Sequence, residues 1–233
     1  MSQRRFSPVS YDSFTDYLKK EKKTLLRQIT NAQVHHTARP TMNGYRLAKD
    51  KEAIIHAMYL YHTKVRGWRD IAQHFTFTED CIWDGRTLNW DSGGFLGAEN
   101  KGGICVEILV NSDTEQIPAE FWRRICQGYA SFREVWPNIE FRLHRDQPSA
   151  IKDKKSCPGK GITLAALERG VALSLAQQPS KTPEHTIERV NIALTAAGLP
   201  PLAPAYWAER SHRESNIYAL LKRFEDYTRA VRK

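Results

Sequence analysis

Three places in the sequence offer side chains that bind a metal ion well. They are His35-His36 in Val34-His35-His36-Thr37-Ala38, His144 closing Phe141-Arg142-Leu143-His144, and Cys157 in Lys155-Ser156-Cys157-Pro158-Gly159. Imidazole nitrogen and thiolate sulfur suit Zn²⁺, and a catalytic zinc takes three protein ligands and leaves a fourth position for water. Ligands far apart in sequence, at strand ends and in loops, fit that plan. A structural zinc wants four protein ligands, and no convincing fourth is present. Taken singly each signal is weak, because paired histidines commonly serve as hydrogen-bonded framework and a lone cysteine commonly packs in a core. Cys81, Cys105 and Cys126 stand among apolar neighbours and read as core, whereas Cys157 lies in a polar loop with Gly and Pro. Glu107 is a second anomaly, since a carboxylate inside Ile104–Val110 is costly unless paired or protonated.

The elements that must position these groups follow from periodicity. A basic amphipathic helix is expected over residues 12–26, with Phe14, Leu18, Leu25 and Leu26 on its apolar side. Ile54, Met58, Tyr61 and Val65 mark a helix over 50–66 that stops at Gly67. Residues 74–78 alternate like a strand, a short strand belongs to the Cys81–Arg86 stretch, and 104–110 is a strand of a central sheet. Ile117, Phe121, Ile125, Tyr129 and Phe132 define a helix over 117–134, a strand follows at 139–144, and a helix near 162–176. Residues 32–38 are too short and mixed to assign alone. Strands alternating with helices predict an α/β fold, a central mixed sheet flanked by helices, spanning residues 29–177. A basic helical segment (1–28) precedes it. Beyond the linker at 177–183, a small helical module (178–233) follows.

Hydrophobic residues at 41% against 26% charged describe a globular chain rather than a disordered one. No run approaches the ~18–20 apolar residues of a membrane helix. The N-terminus has no apolar core and no cleavage site, so synthesis in the cytoplasm is expected, with reduced thiols and no disulfides. The net charge of +9 favours a polyanionic partner. Lys19, Lys20, Lys22 and Lys23, with Arg229, Arg232 and Lys233, place that charge at the two ends. A DNA-reading helix-turn-helix fits the tail poorly, because its last helix spends its apolar residues on one core face. Nucleic acid is therefore not the expected partner.

From Val34 to Lys160 the chain resembles the zinc N-acetylmuramoyl-L-alanine amidases, a family that includes phage endolysins and peptidoglycan-recognition proteins. The resemblance rests on VHHTA, GWRDIAQHFTFTEDCIWDGR, GGICVEILVNSD, LHRDQ and KSCPGK, taken in that order. It implies zinc held by His35, His144 and Cys157, with hydrolysis of the lactyl–L-alanine amide of peptidoglycan or of a soluble muropeptide. Members that only bind peptidoglycan lack the third ligand, and Cys157 is present. Two departures stand out. The gap between His144 and Cys157 is long, and it contains Asp146 and Asp153 as rival ligands. Gln73 occupies a position where some members carry a catalytic tyrosine. Members without that tyrosine carry a glutamate in the buried strand, which implies Glu107 as general base. The Lys-x-ligand-Pro pattern implies Lys155 as an oxyanion-stabilising cation. His36, His74 and Trp90 are further candidates for substrate contact, with Trp68 as a groove-lining aromatic. The resemblance also implies action on the cell wall after phage-type release, and the charge of the two ends suits anionic wall polymer as a partner. The tail resembles, through its PAYW spacing, a small helical module found after some amidase domains.

Overall fold

The computed structural model describes residues 4–177, together with 191, 194, 195 and 198. Its six strands are β1 (Pro8–Val9), β2 (Asn31–His36), β3 (Phe75–Phe77), β4 (Ile82–Asp84), β5 (Gly103–Ile108) and β6 (Glu140–Leu143). They form one sheet in the order β1-β4-β3-β5-β2-β6. β3, β5, β2 and β6 run parallel, while β4 pairs antiparallel with β3 and with β1. The helices are α1 (Phe14–Lys22), α2 (Met42–Leu47), α3 (Lys51–Leu60), α4 (Ala119–Val135), α5 (Pro148–Lys152) and α6 (Leu164–Gln177). This is the expected α/β architecture, a mixed sheet flanked by helices.

Period-2 alternation makes the sheet two-sided. One side carries Ala32, Val34, Phe75, Phe77, Ile104, Val106, Ile108, Phe141 and Leu143, all buried. α4 lays Phe121, Ile125, Tyr129 and Phe132 on it, and Phe14 of α1 packs edge-on against Phe75 (5.0 Å) and Phe132 (5.4 Å). The other side carries Asn31, Gln33, His35, His74, Thr76, Cys105 and Glu107. Near the β4 edge an apolar cluster of Tyr45, Ile55, Met58, Ile71 and Trp83 covers that side. The rest of the polar side lies beneath the loop that carries Ser92, whose hydroxyl donates to Gln33 Oε1 at 2.6 Å.

Several expected boundaries shift for physical reasons. Residues 32–38 hold most of β2, which begins at Asn31, so a window from Ala32 to Ala38 clips its alternation and adds the mixed His36-Thr37-Ala38 end. The first helix ends at Lys22, and Leu26 beyond it is 88% exposed. α3 gives way at Tyr61 to a single π-helical turn, Tyr61–Val65. The helix outruns its core there, so Ile55 and Met58 are buried while Tyr61 and Val65 are exposed. α2 was not expected. Thr41 caps it, its hydroxyl accepting from Gly44 N at 3.1 Å. The long gap after His144 contains α5, opened by Pro148.

The chain divides into two units, Met1–Leu167 and Glu168–Lys233. The first contains the whole sheet together with β1 and α1 of the basic N-terminal segment. Lys19 pairs there with Glu134 at 3.0 Å, and Lys22 donates to Val135 O at 2.7 Å. The expected helical module at 178–233, including Arg229, Arg232 and Lys233, lies outside the described residues apart from the four positions named above.

Candidate metal centre

Four parallel strands bring their carboxyl ends to one edge, the place where open α/β sheets gather ligands. β2 delivers His35 just before its end. β6 ends at Leu143 and passes His144 into a short 3-10 turn. The loop after α5 returns Cys157 to the same edge. In the sheet register Thr76 of β3 lies opposite Glu107 of β5, and Glu107 opposite His35 of β2. A polar row therefore crosses the sheet towards His144.

One ligand atom each from His35, His144 and Cys157 lies within 4.8 Å of the others. Cys157 Sγ stands 3.6 Å from His35 Nδ1. Zinc bonds of ~2.3 Å to sulfur and ~2.0–2.1 Å to nitrogen, opened to a tetrahedral angle, also set those atoms ~3.6 Å apart. His35 Nε2 and His144 Nδ1 are buried with no hydrogen-bond partner. Buried polar atoms are nearly always paired, and a metal ion at this cluster would satisfy the bare His144 nitrogen, whereas His35 Nε2 lies under Gly94 and it is Nδ1 that meets the thiol. The residues present fit a zinc ion.

The surroundings hold these rings in place. The His35 and His144 rings lie 4.6 Å apart, and Phe95 packs against both, at 5.1 and 5.4 Å. The loop backbone closes tightly over His35 at Gly94. A Cβ there would come within 2.6 Å of His35 Nε2 and 2.5 Å of Cys105 Sγ, so only glycine fits. Gly159, with φ of +84°, turns the chain after Cys157-Pro158 in the left-handed region that glycine alone enters readily.

Electrostatics suit metal binding. Burial holds His35 well below the ordinary histidine range, and His144 and His36 reinforce it. His144 is lowered by burial and then by the charge of Lys155. Both rings are thus in the neutral, ligating form. Burial, then the Glu107 carboxylate, push the Cys157 thiol up, against a hydrogen bond from His36 N at 3.5 Å. A dication reverses that bias, since a coordinating thiol gives up its proton. Glu107 is raised to about 8 by burial. Its side chain keeps some exposure, yet Oε2 is buried without a partner. No ion pair holds it among the described residues.

The other candidates separate clearly. Lys155 is exposed on the Cys157 loop, near enough for its charge to act on His144. Asp146 and Asp153 are exposed and do not join the cluster. His36 turns to the opposite side of β2, where Nδ1 accepts from Ser112 N at 3.1 Å. His74, a candidate for substrate contact, lies inside the sheet. Its Nδ1 accepts from Cys105 N at 2.9 Å, and Nε2 lies 3.0 Å from Trp90 O. Fully buried and engaged at both nitrogens, it braces the sheet. Trp90 is covered by the Arg69 guanidinium, 3.5 Å from its ring centroid. Trp68 is 37% exposed and stacks on His62 at 4.9 Å. Gln73 is buried, with Nε2 donating to Thr76 Oγ1 at 3.0 Å and Oε1 unpartnered. Sequence reasoning passed over Thr76, Gly94 and Phe95. For Thr76 a signal existed, since His74, Thr76 and Thr78 are polar at every second position, as are Asn31, Gln33 and His35 of β2.

No protein-family model matches the chain, and no curated protein does. Several solved structures show a loose likeness. An endolysin from a bacteriophage of Thermus scotoductus is 17% identical over 62% of this chain and 85% of its own, with a TM-score of 0.48. The endolysin N-acetylmuramoyl-L-alanine amidase LysCS of Clostridium intestinale is 17% identical over 72% and 90%, with a TM-score of 0.45. Drosophila peptidoglycan recognition protein LB is 19% identical over 59% and 78%, with a TM-score of 0.43. Likeness at this level decides nothing about the site, whose reading rests on its own geometry.

Proposed function

We propose that this chain is a zinc-dependent N-acetylmuramoyl-L-alanine amidase, hydrolysing the lactyl–L-alanine amide of peptidoglycan or of a soluble muropeptide. The convergence of His35, His144 and Cys157 at zinc-compatible spacing, with an unpaired Glu107 in the same polar row, carries this reading. The motif series from Val34 to Lys160 supports the choice of substrate.

Zinc bound there would supply an acidified water and a Lewis acid for the amide carbonyl. The protein's own residues do the rest. His35 and His144 stay neutral because burial and their neighbours disfavour a second proton. Glu107 is the proton carrier. Alone, its buried carboxyl keeps a proton at neutral pH, and a dication nearby favours the ionised form. Ionised, Glu107 takes a proton from the attacking water and returns it to the departing L-alanine nitrogen. Lys155 places a cation on the His144 side, where an oxyanion would gain from it. The basic ends add a salt-sensitive attraction to anionic wall polymer.

The test is mass spectrometry of a muropeptide incubated with the zinc-loaded full chain. The reading predicts a free peptide beginning with L-alanine and a sugar that keeps its lactyl group. A zinc-loaded chain that binds muropeptide without cutting it would instead be a recognition module.

A further inference from the structure

The long excursion between the second and third ligands raises a question of closure. Residues 145–156 leave the end of β6 through α5 and must return Cys157 to within reach of His144. A flexible connection of that length carries an entropic cost of closure that fixed contacts must offset. Those contacts converge on Arg145. Its backbone N–H donates to Cys157 O at 2.6 Å. Its guanidinium donates from Nη1 to Gly159 O and from Nη2 to Ile162 O, each at 2.6 Å. The carboxylate it faces is Asp146, 3.9 Å from Nε. Arg145 also follows His144 directly, so its backbone position is set by β6. One residue thus ties the loop before and after Pro158 to the strand that delivers the second ligand. On the opposite flank Ser112 Oγ donates to Pro158 O, and Asp113 accepts from Ser156 Oγ at 2.8 Å and Lys160 N at 3.0 Å.

We propose that Arg145 is a positioning residue for the metal centre, holding the Cys157 loop against the end of β6 so that thiolate and imidazoles meet one ion. This rests on reading the cluster as a zinc site. The planar guanidinium spans two carbonyls three residues apart, which a lysine ammonium cannot reproduce with one point charge.

The experiment uses the purified full chain, stripped of metal, and its Arg145→Gln and Arg145→Lys variants. Zinc affinity is measured by competition with a chromophoric chelator. Cobalt(II) is then added, and its thiolate-to-metal charge-transfer band reports whether Cys157 is bound. Melting temperatures of the metal-free proteins are recorded alongside. The expected result is tight binding of one zinc by the parent chain and a loss of roughly 10–100-fold in both variants, the usual effect of removing a ligand-orienting partner. The cobalt–thiolate band should weaken in both, with no rescue by lysine, while the metal-free melting temperatures stay close to the parent's. Unchanged affinity and an unchanged band in the variants would overturn the proposal. So would variants unfolded without metal, because Arg145 would then support the whole unit rather than the loop. A parent chain that binds no zinc would bring down the metal reading itself, and that outcome shows before any variant is compared.

Discussion

Glu107 and His74 are both ionisable residues on the polar side of the sheet, and their surroundings give them opposite duties. Glu107 has an orphaned oxygen and no counter-ion, the condition of a group waiting for a charge. Glu107→Gln should keep zinc and fold while lowering kcat by roughly 10²–10⁴-fold, the range for loss of a general base. Steady-state turnover of a soluble muropeptide, measured beside zinc content, checks this, and unchanged turnover would move proton transfer to another residue. His74 is fully paired, and burial drives it down to about 3. Its folded form refuses the proton that the unfolded chain accepts near 6.5, so its contribution is complete above that pH and is lost as pH falls towards 3. Between pH 7 and 5 the loss is ~2 kcal/mol at 1.36 kcal/mol per unit. The stability gap between the metal-free parent and His74→Gln, from urea unfolding, should narrow by about that much on acidification. Parallel pH curves would contradict a neutral His74.

The elements explain what the sequence could and could not reveal. Helix α4 was legible because Phe121, Ile125, Tyr129 and Phe132 repeat on one face, and all four are buried on the sheet. β5 was legible from Ile104, Val106 and Ile108. Strand β2 was not, because only Ala32 and Val34 mark its apolar side and the adjacent His35-His36-Thr37 breaks the alternation at its end. The three candidate ligands were legible as residue types in a motif series. Their convergence, and the covering contacts of Gly94 and Phe95, depend on loop closure that no local period encodes. α1 belongs to the core more fully than its lysines suggest. Phe14 is completely buried between β3 and α4, so Phe14→Ala should cost ~3–5 kcal/mol by chemical denaturation, the range for an emptied aromatic site. A cost near zero would mean that the N-terminal segment is an appendage after all.

At the scale of the molecule, a sheet with one apolar and one polar side accounts for both stability and the proposed chemistry. α1 and α4 seal the apolar side, which leaves the polar side free to hold His35, Glu107 and their neighbours at the carboxyl ends of parallel strands. The proposed chemistry depends on His35, His144 and Cys157 serving one ion together. X-ray absorption at the zinc edge of the zinc-loaded full chain tests that most directly. It should show one sulfur at ~2.3 Å, two imidazoles at ~2.0–2.1 Å and one further light atom. A shell of nitrogen and oxygen without sulfur would exclude Cys157 and return Asp146 or Asp153 to the site, contradicting the arrangement described.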